Sequence, residues 1–304
     1  MTGPPSRSMP TCVDCGSTAS KPLPLTYPLA QCQVCRLVYA QQWEAEFDEA
    51  LYDYYADRVD WPIEAFVTAE NTASLNRALN RIGRLVPGRR LLDVGCGEGQ
   101  FVRAAVDTGW DAQGIDLSES AVRICTERLH APGRVVDFFD QAVGGPFHVV
   151  LMSEMIEHVP GPSRFLARAR DLLAPGGIVY LTTPNFAALS RHVLRDQWRV
   201  ICPGHVSYFT PHVLRAKATA SGLRVRCLHT ENISAVTLRH MIPTPAWRAP
   251  TAAPLCSGAP AEDQVLRGAL QRRPALRYAA SAVNMVLRLT GLGDTIVAIL
   301  KHER

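Results

Sequence analysis

The chain has 304 residues, a hydrophobic fraction of 47% and a formal net charge of +4. That length supports a large core, the charge is too small to argue on its own for a nucleic-acid-binding face, and the long polar gaps between the apolar runs argue against a multispanning membrane protein. The opening Met1-Thr2-Gly3-Pro4-Pro5-Ser6-Arg7 lacks the apolar stretch of a secretory signal, so the expectation is a reducing, cytoplasmic setting with most of the nine cysteines as thiols or metal ligands.

The first chemistry lies in Cys12-Val13-Asp14-Cys15-Gly16 and Cys32-Gln33-Val34-Cys35-Arg36, together C-x2-C-x16-C-x2-C. Two tight turns of this kind can bring four thiolates into the tetrahedron that zinc prefers. Cys12, Cys15, Cys32 and Cys35 are therefore expected to hold a structural Zn2+, with no coordination position left for catalysis. A redox dithiol, or two unrelated thiol pairs, is the weaker reading. Leu37-Val38-Tyr39 reads as a strand.

From Trp43 to Val86, aromatic residues alternate with acids, and Leu75, Leu79, Ile82 and Leu85 fall at helical spacing before Pro87-Gly88 ends the run. This stretch is either a connector that packs its aromatic face on the main domain or a lid with Tyr52 and Tyr55 at a substrate mouth.

Leu91-Leu92-Asp93-Val94 then reads as a strand buried on both faces, running into Gly95-Cys96-Gly97-Glu98-Gly99 and a helix from Gln100. Glycine permits positive φ and close approach of a ligand, and the free N–H groups of the following helix face electron-rich groups. About one helix later, Ala112 to Asp116 forms a second strand whose terminal carboxylate can accept both hydroxyls of a ribose. The spacing G-x-G-x-G, with Asp93 two residues ahead, differs from the dinucleotide G-x-G-x-x-G. A nucleoside with a small amino-acid tail fits better than a pyrophosphate, with Asp93 near an ammonium group.

Ser118 is a candidate N-cap for a helix to Leu129, and Arg134 to Phe138 follows as the third strand. Pro146 to Met152 is the fourth, delivering Ser153 and Glu154 to the carboxyl edge of a parallel sheet, where such sheets bind ligands. Glu157 and His158 come within one helical turn. A helix through Leu166 and Leu172 stops at Ala174-Pro175-Gly176-Gly177, Ile178 to Thr182 is the fifth strand, a helix opens at Thr210-Pro211, and Leu223 to Thr230 is the sixth strand. Pro243 to Pro260 reads as a loop, Val265 to Leu289 as one or two arginine-bearing helices broken near Pro274, and Thr295 to Leu300 as a last strand. For these helices, core packing or a dimer face outweighs contact with a membrane surface.

The run Leu91 to Phe101, with Gly114-Ile115-Asp116-Leu117-Ser118 and Glu154-Met155-Ile156-Glu157-His158-Val159-Pro160, resembles class I S-adenosylmethionine-dependent methyltransferases. The likeness is greatest to the branch of ubiquinone O-methyltransferases and natural-product methyltransferases. It implies an α/β fold with a Rossmann-like seven-stranded sheet, here with a small N-terminal zinc-binding module and a helical insertion before the last strand. The expected division is 1–42 zinc module, 43–87 connector or lid, 88–232 cofactor-binding core, 233–291 insertion and 292–304 final strand. S-adenosylmethionine is the implied cofactor, with contacts from Asp93, Gly95, Cys96, Gly97, Gly99, Asp116, Leu117 and Met152. The adenine contacts fall to Asp137 and Phe138, or to Phe139 and Asp140 after a register shift. His148 departs from the aspartate usual in the family.

The implied reaction is methyl transfer to a small molecule such as a sugar, phenol or quinol, by a monomer or homodimer. A hydroxyl acceptor calls for a general base, for which His205 and His158 are the candidates, with Glu154 orienting. Two alternatives compete: a ribosomal RNA methyltransferase, against which the low charge weighs, and a non-catalytic cofactor-binding regulatory protein.

Overall fold

Consecutive residues of one strand face opposite sides of a sheet, and in the middle of this chain both sides are buried. In β4 (Arg90–Val94), Leu92 and Val94 join one apolar cluster while Leu91 joins the other; in β7 (Phe147–Ser153), Val150 and Met152 divide from Val149 and Leu151 in the same way. Each such side chain contributes about 1.5–3 kcal/mol of burial, and the continuous apolar runs are what a sheet covered by helices on both faces requires. The computed structural model describes residues 11–42, 58–60, 63, 66–233 and 274–302.

The main sheet also contains β5 (Asp111–Asp116), β6 (Gly133–Val135), β8 (Leu173–Pro184), β10 (Leu223–Glu231) and β11 (Thr295–His302). Its order is β10-β11-β8-β7-β4-β5-β6. The neighbours from β6 to β8 run parallel, whereas β11 lies antiparallel between β8 and β10. This is the expected seven-stranded fold. The strand order reverses beside β4, so the glycine turn after β4 stands at the switch point where open α/β sheets bind ligands.

Several helices begin where the sequence supplies a cap or a left-handed glycine. In α1 (Ala69–Gly83), the Thr68 side chain accepts the Asn71 N–H; α2 (Gln100–Asp107) starts at left-handed Gly99; and Ser118 caps α3 (Glu119–Arg123), which continues as a π turn over Ile124–Arg128. Further on are α4 (Pro162–Asp171), α5 (Leu189–Leu194), α6 (Pro211–Ala220) and α7 (Pro274–Thr290). Leu79 and Ile82 of α1 are buried against the main sheet's second cluster, as their spacing predicts. In α7, Leu287 is buried while Val283, Met285, Val286 and Leu289 are exposed. Among the described residues no helix is long and apolar enough to cross a membrane. Tyr52, Tyr55 and the Pro243–Pro260 loop lie outside the described residues.

β1 (Ser20–Pro22), β2 (Leu29–Cys32) and β3 (Val38–Ala40) form a small antiparallel sheet around the cysteines. Its fourth strand, β9 (Ser207–Tyr208), comes from the far end of the chain and pairs Val38 with Tyr208 and Tyr39 with Ser207.

Candidate active site

The three glycines of the turn after β4 all hold left-handed φ: Gly95 +68°, Gly97 +50° and Gly99 +82°. At Gly95 space is also lacking, because an added Cβ would meet the Met155 side chain. The N–H groups of Gly95 and Cys96 donate to Ile115 O at 2.9 and 3.0 Å, fastening the turn to β5. Gly97 N–H donates to Asp116 Oδ2 and Ser118 N–H to Oδ1, both at 2.9 Å. Each carboxylate oxygen keeps a second lone-pair direction, so Asp116 can still accept two adjacent hydroxyls. Leu117, beside it, is 57% exposed, an apolar surface at the strand tip.

Asp93 lies under the turn, and burial together with the neighbouring Asp116 pushes its carboxyl up to about 8. Burial also raises Asp116, against the backbone N–H groups that lower it. The Cys96 thiol is pushed up by Cys125 and by burial, which favours its neutral form. Arg58 of the connector pairs with Glu98 of the turn at 2.6 Å.

At the end of β7 the chain turns sharply, for Glu154 has φ +51° and its N–H donates to Thr182 O at 3.0 Å. Glu154 remains open to solvent on one side, although the protein around it raises its carboxyl. Because of this turn Met155 reaches Gly95, whereas Met152, the residue expected beside the cofactor, is wholly buried in the core. Of the two expected adenine contacts, Asp137 is exposed and caps the next turn through Phe139 N–H, while Phe138 stacks on Phe165 inside the core.

A short 3-10 turn, Ile156–His158, brings Glu157 and His158 to His205. His158 Nδ1–H donates to Gly204 O at 2.6 Å, and His205 Nδ1–H to Val200 O at 2.8 Å. Both bonds fix the tautomer, leaving the lone pair on Nε2. The rings stand edge to face, 4.7 Å apart. Glu157 is 2% exposed; Thr183 Oγ1–H donates to its Oε2 at 2.9 Å, while buried Oε1 has no hydrogen-bond partner among the described residues. One donor atom from each of Glu157, His158 and His205 lies within 4.8 Å of the others. A carboxylate with two neutral imidazoles is a donor set for a divalent cation. Burial and the His158 ring push His205 down to about 3, too low for efficient proton uptake near neutrality. Glu157 was not among the residues expected here; its place in a histidine-bearing turn was the available signal. Nearby Cys202 is disulfide-bonded, which the expected reducing setting does not predict.

In the small sheet, the sulfurs of Cys12 and Cys35, and of Cys15 and Cys32, are each 3.6 Å apart, and all four lie within 4.8 Å. Four Zn–S bonds of about 2.3 Å separate tetrahedral sulfurs by about 3.8 Å, so the residues fit zinc. Gly16 and Arg36, each just after the second cysteine of its pair, hold φ +70° and +64°. A separate cavity between α1 and α2, lined by Phe66, Thr72, Arg103 and His130 among others, includes none of the expected site residues.

A ubiquinone biosynthesis O-methyltransferase of Thiobacillus denitrificans is 39% identical over 110 residues, 34% of this chain and 47% of that protein. One from Xylella fastidiosa is 33% identical over 171 residues, 51% of this chain and 68% of that protein. The chain spans about half the length of the curated relatives it matches. A solved S-adenosylmethionine-dependent methyltransferase from Archaeoglobus fulgidus superposes with a TM-score of 0.50 at 19% identity, covering 82% of this chain and 99% of that one, a likeness of fold. Residues 64–228 match the family model described as a methyltransferase domain, more than half of the chain, and the protein belongs to that family.

Proposed function

We propose that this chain transfers the methyl group of S-adenosylmethionine to a hydroxyl oxygen of a small phenol- or quinol-type acceptor, with a structural zinc in the four-cysteine knuckle. The observation that carries the reading is the contact of Met155 with Gly95. It sets the Glu157, His158 and His205 cluster directly beside the glycine turn and its two acids, so donor and acceptor can meet at one edge of the sheet. The names of the curated relatives support an oxygen acceptor.

In this reading Asp116 accepts the ribose hydroxyls, the turn's backbone and Leu117 receive the nucleoside, and Asp93 faces the ammonium of the amino-acid tail. Bound S-adenosylmethionine would supply the electrophilic methyl: as the acceptor oxygen took it in line, the C–S pair would return to sulfur and neutralise the sulfonium, and the hydroxyl proton would leave to solvent at the open side beside Glu154. Alignment supplies much of the rate, several kcal/mol in such displacements. Glu157, His158 and His205 would hold a divalent cation, which would supply Lewis acidity toward a hydroxyl; Glu154, at the open side, orients the acceptor.

Asp116→Ala should weaken S-adenosylmethionine binding by about 100-fold or more, since two charge-assisted bonds at roughly 1.5 kcal/mol or more are lost; unchanged affinity by calorimetry would remove the assignment. Labelled cofactor offered with a panel of catechols should label oxygen. His205→Ala, or chelation, should reduce turnover far more than cofactor affinity, and normal turnover in both would exclude the cation.

A further inference from the structure

Asp14 stands between the first two cysteines of the knuckle, yet its carboxylate is committed to the methyltransferase core. Its Oδ1 accepts the Ser163 backbone N–H at 2.8 Å, its Oδ2 accepts the Ser163 hydroxyl at 2.9 Å, and it is ion-paired with Lys217 of α6. The two charged side chains are 4% and 5% exposed. Ser163 lies in the first turn of α4, whose own N-cap is Gly161 and offers no side-chain bond. The knuckle therefore caps a core helix that begins just after the Glu157–His158 turn.

A second connection runs through β9. One edge of this segment pairs with β3, and Ala40 N–H donates to Val206 O at 3.0 Å. Val206 N–H donates to Glu157 O at 2.8 Å, and Ser207 Oγ–H to Val159 O at 3.2 Å. The strand that follows His205 is thus held between the knuckle's sheet and the turn carrying the other two members of the cluster. Leu37, next to β3, is buried in the same core cluster as Phe209, Val213 and Leu214.

We propose that Asp14 and Lys217 are positioning residues: with β3 they hold β9 and His205 against Glu157 and His158, making the four-cysteine knuckle part of the acceptor side of the site. Only the term acceptor side rests on the function proposed above. Neither connection bonds to the glycine turn, which meets this side of the site through the Met155 side chain, so cofactor binding responds far less than the acceptor side. Removing Asp14 alone leaves a buried ammonium with the Cys35 sulfur as its remaining counter-group, while removing both charges leaves a neutral pair, and the two effects part in a double-variant cycle.

The test uses the full-length chain as Asp14→Asn, Lys217→Met and the double variant, and the wild type before and after zinc chelation. Hydrogen exchange is followed in peptides covering 156–163, 203–209 and 91–101, with imidazole nitrogen resonances for His158 and His205 and cofactor affinity by calorimetry. Asp14→Asn should speed exchange in the first two peptides by about tenfold or more and shift both imidazole signals. Affinity should stay within about twofold, and Lys217→Met should restore much of the protection in the Asp14→Asn background. Unchanged protection at 203–209 overturns the proposal. So does an Asp14→Asn loss spread equally over 91–101, or a double variant no better than the single one. A protein without zinc on elemental analysis, or one that methylates nothing, refutes those readings alone, because the Asp14 cycle needs neither.

Discussion

Asp93 is 3% exposed, and burial beside Asp116 raises its carboxyl to about 8, so it is mainly protonated at neutrality in the cofactor-free protein. A ligand ammonium placed against it favours the charged form and draws that value down. Cofactor uptake at pH 7 should therefore release close to one proton, and affinity should rise with pH until about 8, then level off. Calorimetry in buffers of different ionisation heat measures the release, which Asp93→Asn should abolish. The sign for stability is opposite in the empty protein: a folded value above the unfolded carboxylate range favours folding at low pH, and that advantage is lost as pH rises toward 8. These two acids were legible in the sequence because each ends or precedes a turn within a short apolar run. Met155 was not, since strand alternation favours Met152, and the left-handed backbone at Glu154 that redirects the chain carries no glycine to announce it.

At the scale of the element, the glycine turn couples backbone conformation to packing. Gly95→Ala places a side chain at φ +68° and drives it into Met155. A non-glycine residue in the left-handed region costs on the order of 1–3 kcal/mol, so denaturant unfolding should show at least that loss together with weakened cofactor binding. Adding Met155→Ala should return the packing part only. Gly109 is the control: its φ is +82° but nothing lies within 4 Å of an added Cβ, so Gly109→Ala should cost about 1 kcal/mol and leave cofactor affinity unchanged. Equal affinity losses in the two variants would dissociate the turn from binding. The parallel strands were readable because each is a short apolar run bounded by turn residues. β9 was not, for Ser207 and Tyr208 form no run and become a strand only because β3 supplies the partner.

For the whole molecule the question is whether the knuckle melts alone. Its cysteine spacing announces that four sulfurs can meet, but spacing carries no information about what the strand after them packs on, and that contact joins distant parts of the chain. Leu37, Val13 and Cys35 all pack with the main core cluster, and Asp14 caps α4. Structural zinc sites of this kind supply on the order of 10 kcal/mol of folding free energy. If roughly 4 kcal/mol of that reaches the shared core, chelation should lower the main thermal transition by about 10 °C. Scanning calorimetry should then show one transition before and after zinc removal, displaced as a whole. An early minor transition with the main one unmoved would mean that knuckle and core fold independently, because a cap, a strand pairing and a shared cluster cannot all be lost without cost to the part that remains.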